Sequence, residues 1–190
     1  MRKAIITSLL FLFTNLSGFS QFYKSVLPSP EFTSALQKIV LDFRFNYKNI
    51  KDSLIVDDGG TQTYGSAIKL PGAKECFITY YNSKIDTSAS WQATVYKGSN
   101  YSEALRAYQN TFRLVKKSHL NWIDHSLMRF TGDLETPKEE VGFATSTLLL
   151  DLEDKRYKRF VAEVDLVKNG FDNWEVQLNL LTKKQDDEQF

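Results

Sequence analysis

The chain of 190 residues is poor in reactive side chains, with one cysteine, two histidines, two methionines and four prolines. A lone thiol, Cys76, cannot close an intramolecular disulfide, which excludes a disulfide scaffold. One cysteine and two histidines also leave few parts for a nucleophile–base pair or a closed zinc cage. The sequence contains no Gly-x-Ser-x-Gly, no phosphate-cradling glycine-rich loop, no His-Glu-x-x-His and no Cys-x-x-Cys. Neither sign of charge dominates, with 24 Lys+Arg against 23 Asp+Glu. Such a chain carries no electrostatic footprint for a polyanion, so no nucleic-acid partner is expected. What is present is ordinary globular chemistry: 42% apolar, 14% aromatic and 25% charged residues.

The first twenty residues read as an export signal. Arg2 and Lys3 form a short positive start, and residues 4–16 are mostly apolar. That length suits a signal-peptide core and is short for a bilayer span. Gly18 and Ser20 supply the small residues that a signal peptidase site requires, which places cleavage after Ser20. Residues 21–182 are then expected to form a single α+β domain, followed by a polar tail over 183–190. Without Arg2 and Lys3 the small positive balance becomes a small negative one. An exported domain of this size without disulfides fits a bacterial periplasmic or secreted protein, with membrane contact only during export.

Two amphipathic helices stand out. Ser29 is a good N-cap, Pro30 occupies a position that helices tolerate, and Glu31 meets the positive end of the dipole. Phe32, Leu36, Ile39, Phe43, Tyr47 and Ile50 follow at spacings of three and four, one stripe of period 3.6. The second helix is expected from Asn100, with Glu103 at capping-box spacing. Its stripe is Tyr101, Ala104, Leu105, Tyr108, Phe112 and Val115.

Elsewhere the period is two. Ala144, Ser146, Leu148, Leu150 and Leu152 alternate with Thr145, Thr147, Leu149 and Asp151. Phe160, Ala162, Val164 and Leu166 alternate with Arg159, Val161, Glu163 and Asp165, and Trp174, Val176, Leu178 and Leu180 with Glu175, Gln177, Asn179 and Leu181. Upstream, Cys76, Ile78 and Tyr80 alternate with Phe77, Thr79 and Tyr81, and Trp91, Ala93 and Val95 with Gln92, Thr94 and Tyr96. These are half-buried antiparallel strands. Asp57-Asp58-Gly59-Gly60 reads as a hairpin tip. The expected fold is an antiparallel sheet of six to eight strands with two helices on one face. The halves 29–98 and 99–182 also resemble each other weakly. Sliding the chain onto itself sets Phe32 on Tyr101, Leu36 on Leu105, Phe43 on Phe112 and, with a larger offset, Trp91 on Trp174.

Two sets of residues are candidates for function. If Cys76, Ile78 and Trp91 face the helices, then Phe77, Tyr81 and Tyr96 face away. The matching face of the second half carries Arg159 and Glu163, with Asp165, Glu175, Gln177 and Asn179. An uncovered face of this kind suits a protein or peptide partner, with no catalysis and no cofactor. The alternative is a hydrolase or metal-dependent enzyme centred on His119, Asp124 and His125, which together offer imidazole and carboxylate groups. The same residues also suit bland roles: His119 at a helix C-terminus, Asp124 and His125 in a capping loop. A third expectation is an envelope component that self-associates through a sheet edge.

Overall fold

The computed structural model describes residues 27–82, 87–170 and 172–183. The expected leader over 1–20 and residues 184–190 of the expected tail lie outside them. The elements run α1 (Pro30–Asp42), β1 (Lys51–Asp57), β2 (Thr61–Ser66), β3 (Glu75–Asn82), β4 (Thr87–Gly98) and α2 (Tyr101–Lys117). They continue as β5 (His119–Asn121), β6 (Leu127–Thr131), β7 (Phe143–Asp151), β8 (Phe160–Lys168) and β9 (Trp174–Thr182). This is an α+β fold dominated by one antiparallel sheet, in the order β1-β2-β3-β4-β9-β8-β7-β6-β5. The described sheet has nine strands, more than the six to eight expected. β5 is three residues long and β6 five, too short for an alternating pattern to stand out.

Both helices begin as their caps dictate. The Ser29 hydroxyl accepts from the Phe32 amide at 3.2 Å, and the Asn100 side chain accepts from the Glu103 amide at 3.2 Å. α1 ends earlier than its apolar stripe. After Asp42 the chain turns through 3₁₀ geometry, and Asn46 and Tyr47 adopt φ of 52° and 57°. The Asp42 carboxylate accepts from the Asn49 amide at 3.1 Å and from Asn49 Nδ2 at 2.7 Å, which holds the turn. Phe43, Tyr47 and Ile50 are buried nonetheless, so apolar spacing outlasts the helix itself.

The core lies between the helices and one sheet face. Ile78, Trp91, Ala93, Leu148, Ala162, Val164, Val176, Leu178 and Leu180 point into it, together with Phe32, Leu36, Ile39, Tyr108, Phe112 and Val115. Buried hydroxyls are tied down: Tyr47 Oη donates to the Leu180 carbonyl at 2.9 Å, and Tyr157 Oη to the Val40 carbonyl at 2.7 Å. Phe43, Tyr157 and Phe160 form a cluster of tilted and edge-to-face rings with centroids 4.5 to 5.4 Å apart. The buried positions of the helices match in a register three residues longer than the sequence match: Phe32 with Ala104, Leu36 with Tyr108, Ile39 with Thr111, Val40 with Phe112 and Phe43 with Val115.

Candidate binding surface

The strand pairing defines the residues of the sheet face away from the core. In antiparallel strands, directly opposed residues point to the same side. Opposite the core row of Leu148, Ala162 and Leu180 lies an outward row through Thr147, Glu163, Asn179, Gln92 and Phe77. The next outward row runs through Thr145, Asp165, Gln177, Thr94 and Glu75. Phe77 and Tyr81 therefore share this face with Glu163 and Asp165, as their alternation implies. Tyr81 is 49% exposed. Arg159 is an exposed turn residue before β8, and its carbonyl accepts from the Lys183 amide at 2.8 Å, which places it at the rim.

Asp165 and Glu175 accept hydrogen bonds from neighbouring side chains. Thr145 Oγ1 donates to Asp165 Oδ1 at 2.5 Å, and Asn179 Nδ2 donates to Asp165 Oδ2 at 2.7 Å. Burial nevertheless raises the Asp165 pKa above its ordinary value, with both donors opposing. Glu163 is raised too, first by burial and then by the neighbouring Asp165, with Lys183 opposing. Glu175 Oε1 accepts from Gln177 Nε2 at 2.9 Å and from Thr94 Oγ1 at 3.3 Å, which links β9 to β4 at the centre of the sheet.

Tyr96 does not belong to this surface. β4 carries one extra residue against β9: Thr94 pairs with Gln177, but Tyr96 pairs with Val176. The bulge reverses the alternation, and the Tyr96 ring turns to the helix side, 8% exposed. Its hydroxyl donates to the Asn100 carbonyl at 3.2 Å and lies 3.3 Å from Glu103 Oε2, so it braces the start of α2. Burial, and secondarily Glu103, raise its pKa.

The face also carries apolar residues outside the candidate set. Leu149, Val161 and Leu181 form one outward row across β7, β8 and β9. Leu149 is 57% exposed, while Val161 in the middle is 1% exposed. Phe143 opposes Val167 at the far end and is 54% exposed. The signal was present in the sequence, because each of these residues occupies an outward position of its strand's alternation.

His119 and Asp124 of the alternative set line different grooves. His119 lies on β5 opposite Arg129 and lines a groove with Leu27, Pro30, Thr33, Gln37 and Lys117. Asp124 lines another, with Trp122, Ser126, Leu127, Asp151 and Asp154. Its carboxylate accepts from the Ser126 amide at 2.9 Å, and the bonds from Ser126 hold its pKa below the ordinary range. His125 is an exposed turn residue with φ 67°. Among the described residues no group of three His, Cys, Asp or Glu side chains is placed to hold a metal ion. Cys76 is a buried core residue whose thiol is pushed up chiefly by burial. Asp57 and Asp58 serve their hairpin: Asp57 Oδ1 accepts from the Gly59 amide at 3.0 Å, and Asp58 Oδ1 from the Thr61 amide at 2.6 Å.

No helix among the described residues is long and apolar enough to cross a membrane. Comparison with family models, with curated proteins and with solved structures found no match, so the functional reading rests on this chain's own geometry.

Proposed function

We propose that this chain is an exported, non-catalytic binding protein that grips a protein or peptide partner across the sheet face away from its helices. The observation that carries the reading is the make-up of that face. It presents exposed Tyr81, Leu149 and Phe143 around half-buried Glu163 and Asp165, while the helices occupy the other side. Apolar side chains of this kind supply contact area, and the polar centre supplies register for a partner's donors. Phe77 contributes a partly buried ring, and Arg159 contributes charge at the rim. The proposal includes cleavage after Ser20 and a periplasmic or secreted location. It also includes common ancestry of the halves 29–98 and 99–182, whose joining at β4 and β9 makes one continuous face.

The test compares the wild-type chain with a Tyr81→Ala/Leu149→Ala/Glu163→Gln variant as bait against an envelope extract of the source cells. Loss of the same captured protein in the variant supports the surface, and equal recovery overturns it. Mass spectrometry of the protein from its native host tests the export step. A mature N-terminus at Gln21 is expected, and an intact Met1 start in the folded pool contradicts it.

A further inference from the structure

The two edges of the sheet differ in kind. At one end β5 is three residues long, and the Asn121 amide on it donates to Gln37 Oε1 of α1 at 2.8 Å. That edge is short and partly covered. At the other end β1 is seven residues long and exposed throughout. Leu54, Ile55 and Val56 are 50%, 52% and 52% exposed. A long apolar edge with free backbone groups is a template for pairing with another strand.

The order of side chains along β1 selects the partner. Lys51 pairs with Ser66, Leu54 with Tyr64 and Asp57 with Gln62, so all three lie on the helix side. Val56 pairs with Thr63 on the other side, and Asp52 lies there too, its Cβ 3.6 Å from the Cβ position of Gly65. This spacing comes from two irregularities in β1, one between Lys51 and Leu54 and one between Leu54 and Val56. The pattern reads the same in both directions about Leu54: Lys51 balances Asp57, and Asp52 balances Val56. A two-fold axis at Leu54 would therefore set bulge beside bulge and restore matching faces on either side.

We propose that β1 pairs with β1 of a second copy of this chain, antiparallel and centred on Leu54, with Lys51 of each copy opposite Asp57 of the other. The charges favour this register over its neighbours. A shift of one residue toward Ile55 sets Asp52 against Asp57, which offsets the Lys51–Asp58 pair formed in the same register, and a shift of two sets Asp52 against Asp58 and leaves Lys51 opposite Gly59. Shifts the other way set Lys51 against Val56 or Ile55. Opposite charges directly across a strand pair stabilise it and like charges oppose it. Lys51 is already held on the required face, its ammonium 4.2 Å from the Tyr64 ring centroid. The result is a two-fold dimer with one sheet continuing through both copies.

The test is the oligomeric state of the chain by light scattering and sedimentation over a wide concentration range. A concentration-dependent dimer is expected for the wild type. Lys51→Glu places Glu against Asp57 at both ends and is expected to weaken the dimer at least tenfold. The Lys51→Glu/Asp57→Lys double variant, which restores opposite charges, is expected to recover it. Far-UV circular dichroism checks that each variant is folded. A second measurement does not depend on those variants. On a Cys76→Ser background, Leu54→Cys opposes its own copy and is expected to form an intermolecular disulfide under mild oxidation. Ile55→Cys, displaced from the axis, sets its Cα atoms beyond the roughly 7 Å that a disulfide spans and is expected to cross-link poorly. A wild-type chain that stays monomeric at every concentration overturns the proposal. So does a dimer indifferent to Lys51→Glu, or a Leu54→Cys chain that does not cross-link.

Discussion

The indole N–H of Trp91 donates to the hydroxyl of Ser66 at 2.9 Å, and both residues are buried on the helix-covered face. The Ser66 hydroxyl donates in turn to the Ile68 carbonyl at 2.7 Å. Ser66→Ala would leave the indole N–H without a partner in a site closed to water. A loss of about 1–3 kcal/mol is expected. Urea denaturation followed by tryptophan fluorescence measures it, and an unchanged midpoint would contradict the bond's role.

The bulge in β4 separates the consequences of two tyrosine substitutions. Tyr96→Ala removes a ring packed against the start of α2, and a loss of about 3–5 kcal/mol is expected. Tyr81→Ala removes a half-exposed ring from the opposite face, and stability should stay within about 0.5 kcal/mol. Thermal unfolding of the two variants side by side decides the matter. Equal stability would mean that Tyr96 does not face the helices.

Gly132 and Gly60 make a second contrast. A Cβ on Gly132 would lie 2.3 Å from the Thr147 carbonyl oxygen, a backbone atom that cannot swing aside. Gly132→Ala is expected to cost about 1–3 kcal/mol through displacement of the approach to β7. A Cβ on Gly60 meets nothing within 4 Å. Gly60→Ala is expected to be neutral or to stabilise by up to about 1 kcal/mol, through reduced freedom of the unfolded chain. Chemical denaturation of both variants checks the sign of each effect.

Glu163 gives a pH signature. Burial and Asp165 raise its pKa in the folded chain. Between the unfolded and folded values the native state therefore binds more protons than the unfolded state. The contribution of this group to stability falls as pH rises through that window, and the penalty is complete above the folded value. Glu163→Gln removes the titration. Its stability relative to wild type is expected to increase with pH from about 4.3, the ordinary glutamate value, and then to level off. Unfolding free energies of both chains from pH 3.5 to 8 measure the difference. A relative stability that falls with pH would reverse the sign and refute the environment described for Glu163.

The parts of the fold that sequence made legible are those where one local rule acted without interruption. The Asn100 cap, Glu103 and the stripe through Tyr108, Phe112 and Val115 define α2 because every turn repeats the same burial. β7, β8 and β9 alternate cleanly, so Glu163 and Asp165 fall on the face that their spacing implies. The misses share a cause: one residue out of step carries little local signature. Tyr96 changed sides because a single bulged residue moves every later side chain of a strand across the sheet. α1 stopped at Asp42 although Phe43, Tyr47 and Ile50 keep helical spacing, because a tertiary site accepts those side chains from a left-handed turn as readily as from a helix. β1 escaped alternation for the same reason as β4, twice over. His119 and Asp124, close in sequence, line different grooves, because His119 lies on β5 and Asp124 in the loop between β5 and β6.

The seam between β4 and β9 also governs when the molecule can become whole. β9 is the last strand among the described residues, yet it lies at the centre of the sheet, bonded to β4 on one side and β8 on the other. As the chain grows, β4 is complete long before its partner exists and waits with an unpaired edge. Closing that gap joins residues 76 to 89 positions apart, from Gly98 opposite Trp174 to Trp91 opposite Leu180, which is a slow kind of contact to form. A chain cut before Trp174 would not merely lose one strand. It would bare the edges of both β4 and β8 at once, and a ribosome-bound or prematurely ended chain would present two adhesive edges that the finished protein keeps paired.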